Sequence, residues 1–208
     1  MLRARYHKGP RRDAIAGRRG GVWDKMLAMG HLLTLIALVA SVAVAQNRGA
    51  LLVATAATRD TDFAQTVILV LDRDAQRSTG LVLNRPVKIT LAEVFPDLKS
   101  GAAAGQTAWA GGPILIGVNA LLRAKAAGAD EVLPHVRLLA DKARIRHEAA
   151  SGTPTSSFRV YLGVCGWGAH QLDDELRRGM WRVVPGTADV VFDAAPGTLW
   201  TRLTRAAP

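Results

Sequence analysis

Arg85 stands in Asn84-Arg85-Pro86, a setting suited to holding an anion. Arginine presents a rigid fork of five N–H donors, asparagine can bond nearby backbone groups, and proline ends a ladder because it lacks an N–H. One reading is contact with a carboxylate, a phosphate or an acidic peptide. The alternative, which we favour, is a salt bridge to Asp174 or Glu175, with Pro86 closing a strand. Gly111-Gly112-Pro113 is a second candidate, because residues without a Cβ let a ligand or another chain segment approach closely. No Gly-X-Gly-X-X-Gly and no Gly-Lys-Ser/Thr accompanies it, so a tight turn is expected rather than a nucleotide cradle.

The third candidate is the stretch from Gly166 to Gln171, read as a turn in which Gln171 bonds backbone groups. Trp109, Trp167, Trp181 and Trp200 are expected in the core, each with a partner for its indole N–H. A tryptophan exposed beside Arg85 would instead make a peptide groove, since Trp and Arg dominate interface energetics. His170 with Asp173 or Asp174 has the spacing of metal ligands on one helical face, but without a third well-placed ligand no metal is expected. Cys165 could act as a nucleophile with His170 if a following helix N-terminus lowered its pKa. As the only cysteine it excludes an internal disulfide, a Cys-X-X-Cys pair and a cysteine zinc site. A Gly-X-Ser-X-Gly elbow is absent. The candidate binding surface is therefore Asn84, Arg85, Gly112, Pro113, Trp167 and Gln171. No catalytic residue, metal or cofactor is assigned, and a non-enzymatic role is favoured.

These residues must be positioned by short elements. Strands are expected at Leu51–Thr55, Thr66–Asp72, Gly80–Asn84, Gly117–Arg123, Val132–Ala140, Phe158–Gly163, Met180–Pro185 and Asp189–Asp193. Thr90-Leu-Ala-Glu93 is a capping box before a helix to about Leu98, and Asp141 can cap a helix to about Ala150. A third helix carries Asp173, Asp174 and Glu175 early, Arg177 and Arg178 late, and Gly179 beyond its end. That order complements the helix dipole and predicts Asp173–Arg177 and Asp174–Arg178 pairs, with Leu172 and Leu176 as the buried stripe. Pro196 opens a last helix with Leu199 and Leu203 four apart. Strands and helices without regular βαβ alternation indicate α+β, and no linker or repeat divides the segment 46–208.

The net charge of +10 is concentrated at the N-terminus, where residues 1–25 hold eight Lys or Arg and two Asp. The excess of +4 left for the remaining residues suits solubility rather than phosphate binding by the folded part. Residues 26–45 carry no charged side chain and end in Ala43-Val44-Ala45, the order of an export signal, so cleavage is expected between Ala45 and Gln46. The expected address is the periplasm. An uncleaved anchor over 26–45, or a cytoplasmic protein with an upstream mis-start before Met26, are the alternatives.

The ordered motifs Leu51-Leu-Val-Ala-Thr, Asp62-Phe63, Gly80-Leu-Val-Leu-Asn-Arg-Pro86, Gly111-Gly-Pro113, Gly166-Trp167, Gln171-Leu172, Glu175, Trp181 and Val191-Phe192-Asp193 resemble the YqgE/AlgH family of bacterial proteins over approximately Gly49–Arg205. The resemblance implies one α+β domain whose bent, mostly antiparallel sheet closes into a pseudo-barrel flanked by short helices. It implies no reaction: the family has no established biochemical activity, and its label of transcriptional regulator comes without a recognisable DNA-binding motif. The chain departs from the family in its leader, at Val164-Cys165 where Tyr-Ala is usual, at Ala169-His170, and at Asp173 where glutamate is usual. Alanine at the position of Cys165 argues against a catalytic thiol. Three functions are carried forward: an interaction or regulatory protein of the cell envelope with an unknown protein or peptide partner, a cytoplasmic regulator of transcription, and a hydrolase with an unrecognised site. Export would exclude a nucleic-acid partner and leave membrane contact only through an uncleaved leader.

Overall fold

Continuous apolar runs such as Leu51-Leu-Val-Ala54 and Val67-Ile-Leu-Val-Leu71 can be buried on both faces, and adjacent strands built from them form the centre of the sheet. The computed structural model describes residues 48–205 apart from 60, 99–102 and 126–127. The leader and the expected cleavage site at Ala45 and Gln46 lie outside the described residues.

Strands β1 (Ala50–Ala54), β2 (Val67–Arg73) and β3 (Arg77–Val82) form an antiparallel meander. β4 (Pro86–Thr90) pairs with β5 (Thr107–Ala110), and β6 (Ile114–Arg123) is followed by the hairpin of β7 (Glu131–Leu133) and β8 (Val136–Leu139). β9 (Phe158–Gly168) is the longest, and β10 (Trp181–Pro185) returns to pair with β1. The sheet order is β10-β1-β2-β3-β9-β6-β8-β7, antiparallel throughout, with β5 joining β9 in parallel. The curled sheet is a half-barrel bordered by α1 (Leu91–Val94), α2 (Lys142–Ala150), α3 (Gln171–Arg177), α4 (Ala188–Val191) and α5 (Pro196–Arg205). The expected α+β domain is what the chain forms.

The period of two along each strand divides the apolar residues between cores. Leu51, Val67 and Leu69 join Val191, Phe192 and Leu199 beneath α4 and α5. Leu52, Ala54, Ile68 and Val70 pack instead with Trp167, Trp181 and Leu172 beneath α3. A third cluster places Leu91, Phe95 and Ile145 over Ala108, Ala120 and Val160.

Several local expectations hold. Thr90 and Glu93 form both halves of the capping box, Asp141 Oδ1 accepts from the Arg144 amide (2.8 Å), and Gly179 takes the left-handed conformation after α3 with φ +68°. Others are corrected. α1 stops at Val94 rather than near Leu98 because Phe95 precedes Pro96, whose ring disfavours helical backbone before it. Val132–Ala140 is not one strand: Pro134 and His135, the latter at φ +68°, fold it into a hairpin. Asp189–Asp193 is not a strand, since Thr187 Oγ1 accepts from the Val190 amide (3.3 Å) and caps α4, which drives Val191 into the core. The pairs within α3 also differ: Asp173 binds Arg73 of β2, while Asp174 pairs with Arg177 three residues on.

Candidate functional site

Asn84 and Arg85 lie in the bend between β3 and β4, so Pro86 opens a strand rather than closing one. Asn84 Oδ1 accepts from the Val67 amide (3.0 Å) and its Nδ2 donates to the Gln65 carbonyl (2.9 Å), which ties the bend to the entrance of β2. The expected salt bridge from Arg85 to Asp174 or Glu175 is not formed. Arg85 Nη2 donates to the Ala64 carbonyl (3.1 Å), Asp174 holds Arg177, and Glu175 is engaged by indoles. The half-buried Arg85 lines a cleft of about 240 Å³ with Asp62, Phe63, Val82, Gly112 and Pro113. Three of the expected surface residues, Arg85, Gly112 and Pro113, thus come together.

The glycine pair is there for close approach. A Cβ on Gly111 would lie 2.3 Å from the Gly163 carbonyl oxygen and one on Gly112 would lie 2.2 Å from the Val164 carbonyl carbon. Backbone bonds from Val82 to Gly111 and from Gly111 to Leu162, both 2.8 Å, join β3 to β9 across this crossing. Just beyond Pro113 the register of β6 against β9 shifts between Ile114 and Val118, and the side chains of Leu115 and Ile116 are 83% and 73% exposed. β8 covers β6 only at Ala120–Arg123, so this end of β6 has β9 on one side and, among the described residues, no strand on the other.

Trp167 and Gln171 belong elsewhere. Gly166 and Trp167 are not a turn but part of β9, with Trp167 opposite Ser78, and the chain turns only after Gly168. Both Trp167 Nε1 (2.8 Å) and Trp181 Nε1 (2.7 Å) donate to Glu175 Oε2, while Gln171 Nε2 donates to Glu175 Oε1 (3.1 Å). Gln171 Oε1 accepts from the Gly168 amide (3.1 Å), as expected of a residue that fixes a turn. Phe63, from the rim of the Arg85 cleft, stacks on Trp167 with ring centroids 6.5 Å apart. Glu175 is only 8% exposed, so its carboxylate is dissolved in three neutral N–H groups instead of water.

Cys165 is buried, its thiol donates to the Gly111 carbonyl (3.4 Å), and burial pushes its pKa up to about 12, outweighing the charge of Arg85. A thiol so raised is not the nucleophile weighed from the sequence. His170 is exposed at the N-cap position of α3 with φ +61°, and its side chain makes no capping bond. The aspartates spaced for a metal are held by Arg73 and Arg177, and no group of three or more His, Cys, Asp or Glu forms a metal site among the described residues.

The profile of the AlgH-like family matches residues 51–208. The chain belongs to the AlgH-like family. It is 33% identical over 164 residues to a UPF0301 protein of Streptomyces coelicolor, covering 76% of this chain and 84% of that one. A UPF0301 protein of Saccharophagus degradans is 30% identical over 161 residues, covering 74% and 78%. The solution structure of the AlgH protein from Pseudomonas aeruginosa superposes with a TM-score of 0.63 at 28% identity, over 77% of this chain and 86% of that one. A crystal structure from Corynebacterium diphtheriae has the same TM-score at 22% identity and shows the shared fold. In this AlgH-like chain the motif residues Trp167, Glu175 and Trp181 are one buried hydrogen-bonded unit, which the exposed Gln171 closes from the surface.

A further residue was not singled out from the sequence. Arg159 interrupts the apolar run Phe158–Leu162, and that interruption was the available signal. Its guanidinium lies over the Trp109 ring, 4.3 Å from the centroid, and donates to the carbonyls of Thr155 (3.0 Å), Val191 (2.9 Å) and Asp193 (2.6 Å). Burial lowers its pKa from the ordinary arginine value.

Proposed function

We propose that this AlgH-like protein is a non-enzymatic interaction or regulatory protein of the cell envelope. In this reading residues 1–45 direct export, and the folded domain binds a protein or peptide segment. One observation carries it: Leu115 and Ile116 stand exposed on an unpaired strand end immediately after Gly112-Pro113, whose cleft holds Arg85. Exposed apolar edges invite pairing with another chain, and natural proteins usually blunt them. Arg85 adds a donor fork for a carboxylate of the incoming segment. The burial of Cys165 and the engagement of Asp173 and Asp174 by Arg73 and Arg177 support this reading over a thiol nucleophile or a metal held at α3.

The test is to place a photo-crosslinking phenylalanine at position 115 of the full chain, irradiate cells, and fractionate them before identifying the adduct and the N-terminus of the protein. The expected result is one dominant protein adduct in the envelope fraction, lost on Ile116→Asp or Arg85→Ala, from a chain beginning at Gln46. A chain retaining residues 1–45 in the cytoplasm would overturn the address. Adducts unaffected by both substitutions would overturn the surface.

A further inference from the structure

A second cleft, of about 530 Å³, is formed by β5, the start of β9 and the entrance to α5, and it has the chemistry of an anion site. Its floor is made by Arg159, which is 4% exposed, and Trp109, which is 5% exposed. Three carbonyls take three of the five N–H donors of Arg159, and the Tyr161 hydroxyl lies against the same guanidinium. At least one donor therefore remains. Trp109 Nε1 is also buried and finds no acceptor among the described residues, although a buried indole N–H normally has one.

Charge points the same way. The cleft lining contains no carboxylate among the described residues. Asp193, whose charge acts on Arg159, already holds Arg202 through its Oδ2 (2.7 Å), and Arg123 is matched by Asp189 (3.0 Å). One buried positive charge is left surrounded by dipoles, so a monoanion would complete it. Thr155 and Ser156 offer exposed hydroxyls at the rim, while Phe192 and Pro196 offer apolar wall. The volume lies within the range of small-molecule sites.

We propose that this cleft binds a small organic carboxylate, whose oxygens accept from the remaining Arg159 donors and, with a small shift of the indole that opens its buried N–H to the cleft, from Trp109 Nε1, while its apolar body lies against Phe192 and Pro196. A phosphate dianion would bring one negative charge more than Arg159 offers. The site is distinct from the Arg85 surface: Trp109 and Ala110 are consecutive residues of β5, and each lines a different cleft.

The experiment follows the indole N–H resonances of the full-length protein during titration with benzoate, inorganic phosphate and benzyl alcohol at constant ionic strength. Trp109→Phe both assigns the resonance and removes the donor while keeping the ring under Arg159, and so avoids unfastening the three carbonyls that Arg159→Met would release. Benzoate is expected to shift the Trp109 signal saturably and benzyl alcohol to leave it in place. Trp109→Phe, read through the Thr155 and Phe192 amides, should weaken benzoate by about ten- to a hundredfold, as loss of one charge-assisted bond requires. Saturation by phosphate as tight as by benzoate would overturn the carboxylate assignment, an equal response to benzyl alcohol would reduce the cleft to an apolar pocket, and silence towards all three would remove the site.

Discussion

Replacing Glu175 by alanine should cost this protein a large part of its stability, although Glu175 touches no candidate ligand cleft. The carboxylate receives two indole N–H groups on Oε2 and the Gln171 amide on Oε1. Alanine would leave both buried tryptophan donors without an acceptor, at about 1–3 kcal/mol each, and would free Gln171 from its second partner. The total is roughly 3–6 kcal/mol, against about 5–15 kcal/mol for a whole domain. Glutamine keeps one oxygen for the indoles but turns an NH₂ towards the NH₂ of Gln171 and removes the charge, for about 1–3 kcal/mol. Urea unfolding followed by far-ultraviolet circular dichroism avoids the tryptophans themselves. With a slope of about 2 kcal/mol/M, Glu175→Ala should lower the midpoint by roughly 2 M and Glu175→Gln by about a third to a half of that. A fall below about 0.3 M for Glu175→Ala at unchanged slope would refute the reasoning, because the indoles would then have found other acceptors.

Cys165 should resist a disulfide-exchange reagent at pH 8 in the folded protein and react at once in denaturant, since burial raises its pKa to about 12; rapid native labelling would contradict that placement. Asn84→Ala leaves the Val67 amide and the Gln65 carbonyl without their side-chain partner and should cost about 1–3 kcal/mol by the same unfolding measurement, while Asn84→Asp, which keeps the acceptor for Val67 but turns an oxygen towards the Gln65 carbonyl, should recover only part of that loss. Asp193 has a lowered pKa: burial opposes the shift, but the bonds from Arg202 and the Ala195 amide together with the charges of Arg202 and Arg159 outweigh it. Its contribution is therefore present above the unfolded carboxylate value of about 3.9 and lost as pH falls through the folded value. Asp193→Asn should flatten stability against pH below about pH 4 and leave its shape near neutrality unchanged.

Much of the architecture was legible because it rests on local chemistry. The capping box at Thr90, the Asp141 cap, the glycine after α3 and the apolar runs of β1 and β2 each depend on neighbours within a few residues. The motif order carried family and fold together. Errors arose where a short apolar run could serve either period. Val190-Val191-Phe192 suits a strand or a helix turn, and only the Thr187 cap and the available core space decided it.

The amino-acid sequence by itself determined the family, the capped helix starts and the central apolar strands, because each follows from side-chain size, backbone freedom or spacing along the chain; at Gly111-Gly112 it allowed close approach, but the structure made a backbone crossing where a tight turn was expected. Only the tertiary structure decided what the polar residues outside the helix caps do. Glu175 could equally have met Arg85 or water from its place on α3; the packing of Trp167 from β9 and Trp181 from β10 made it an acceptor for two indoles. Arg159 looked like an irregularity in a strand until β5 and the entrance to α5 closed over it. A buried charge is defined by the groups that converge on it from distant parts of the chain, and their convergence is a property of the packed fold.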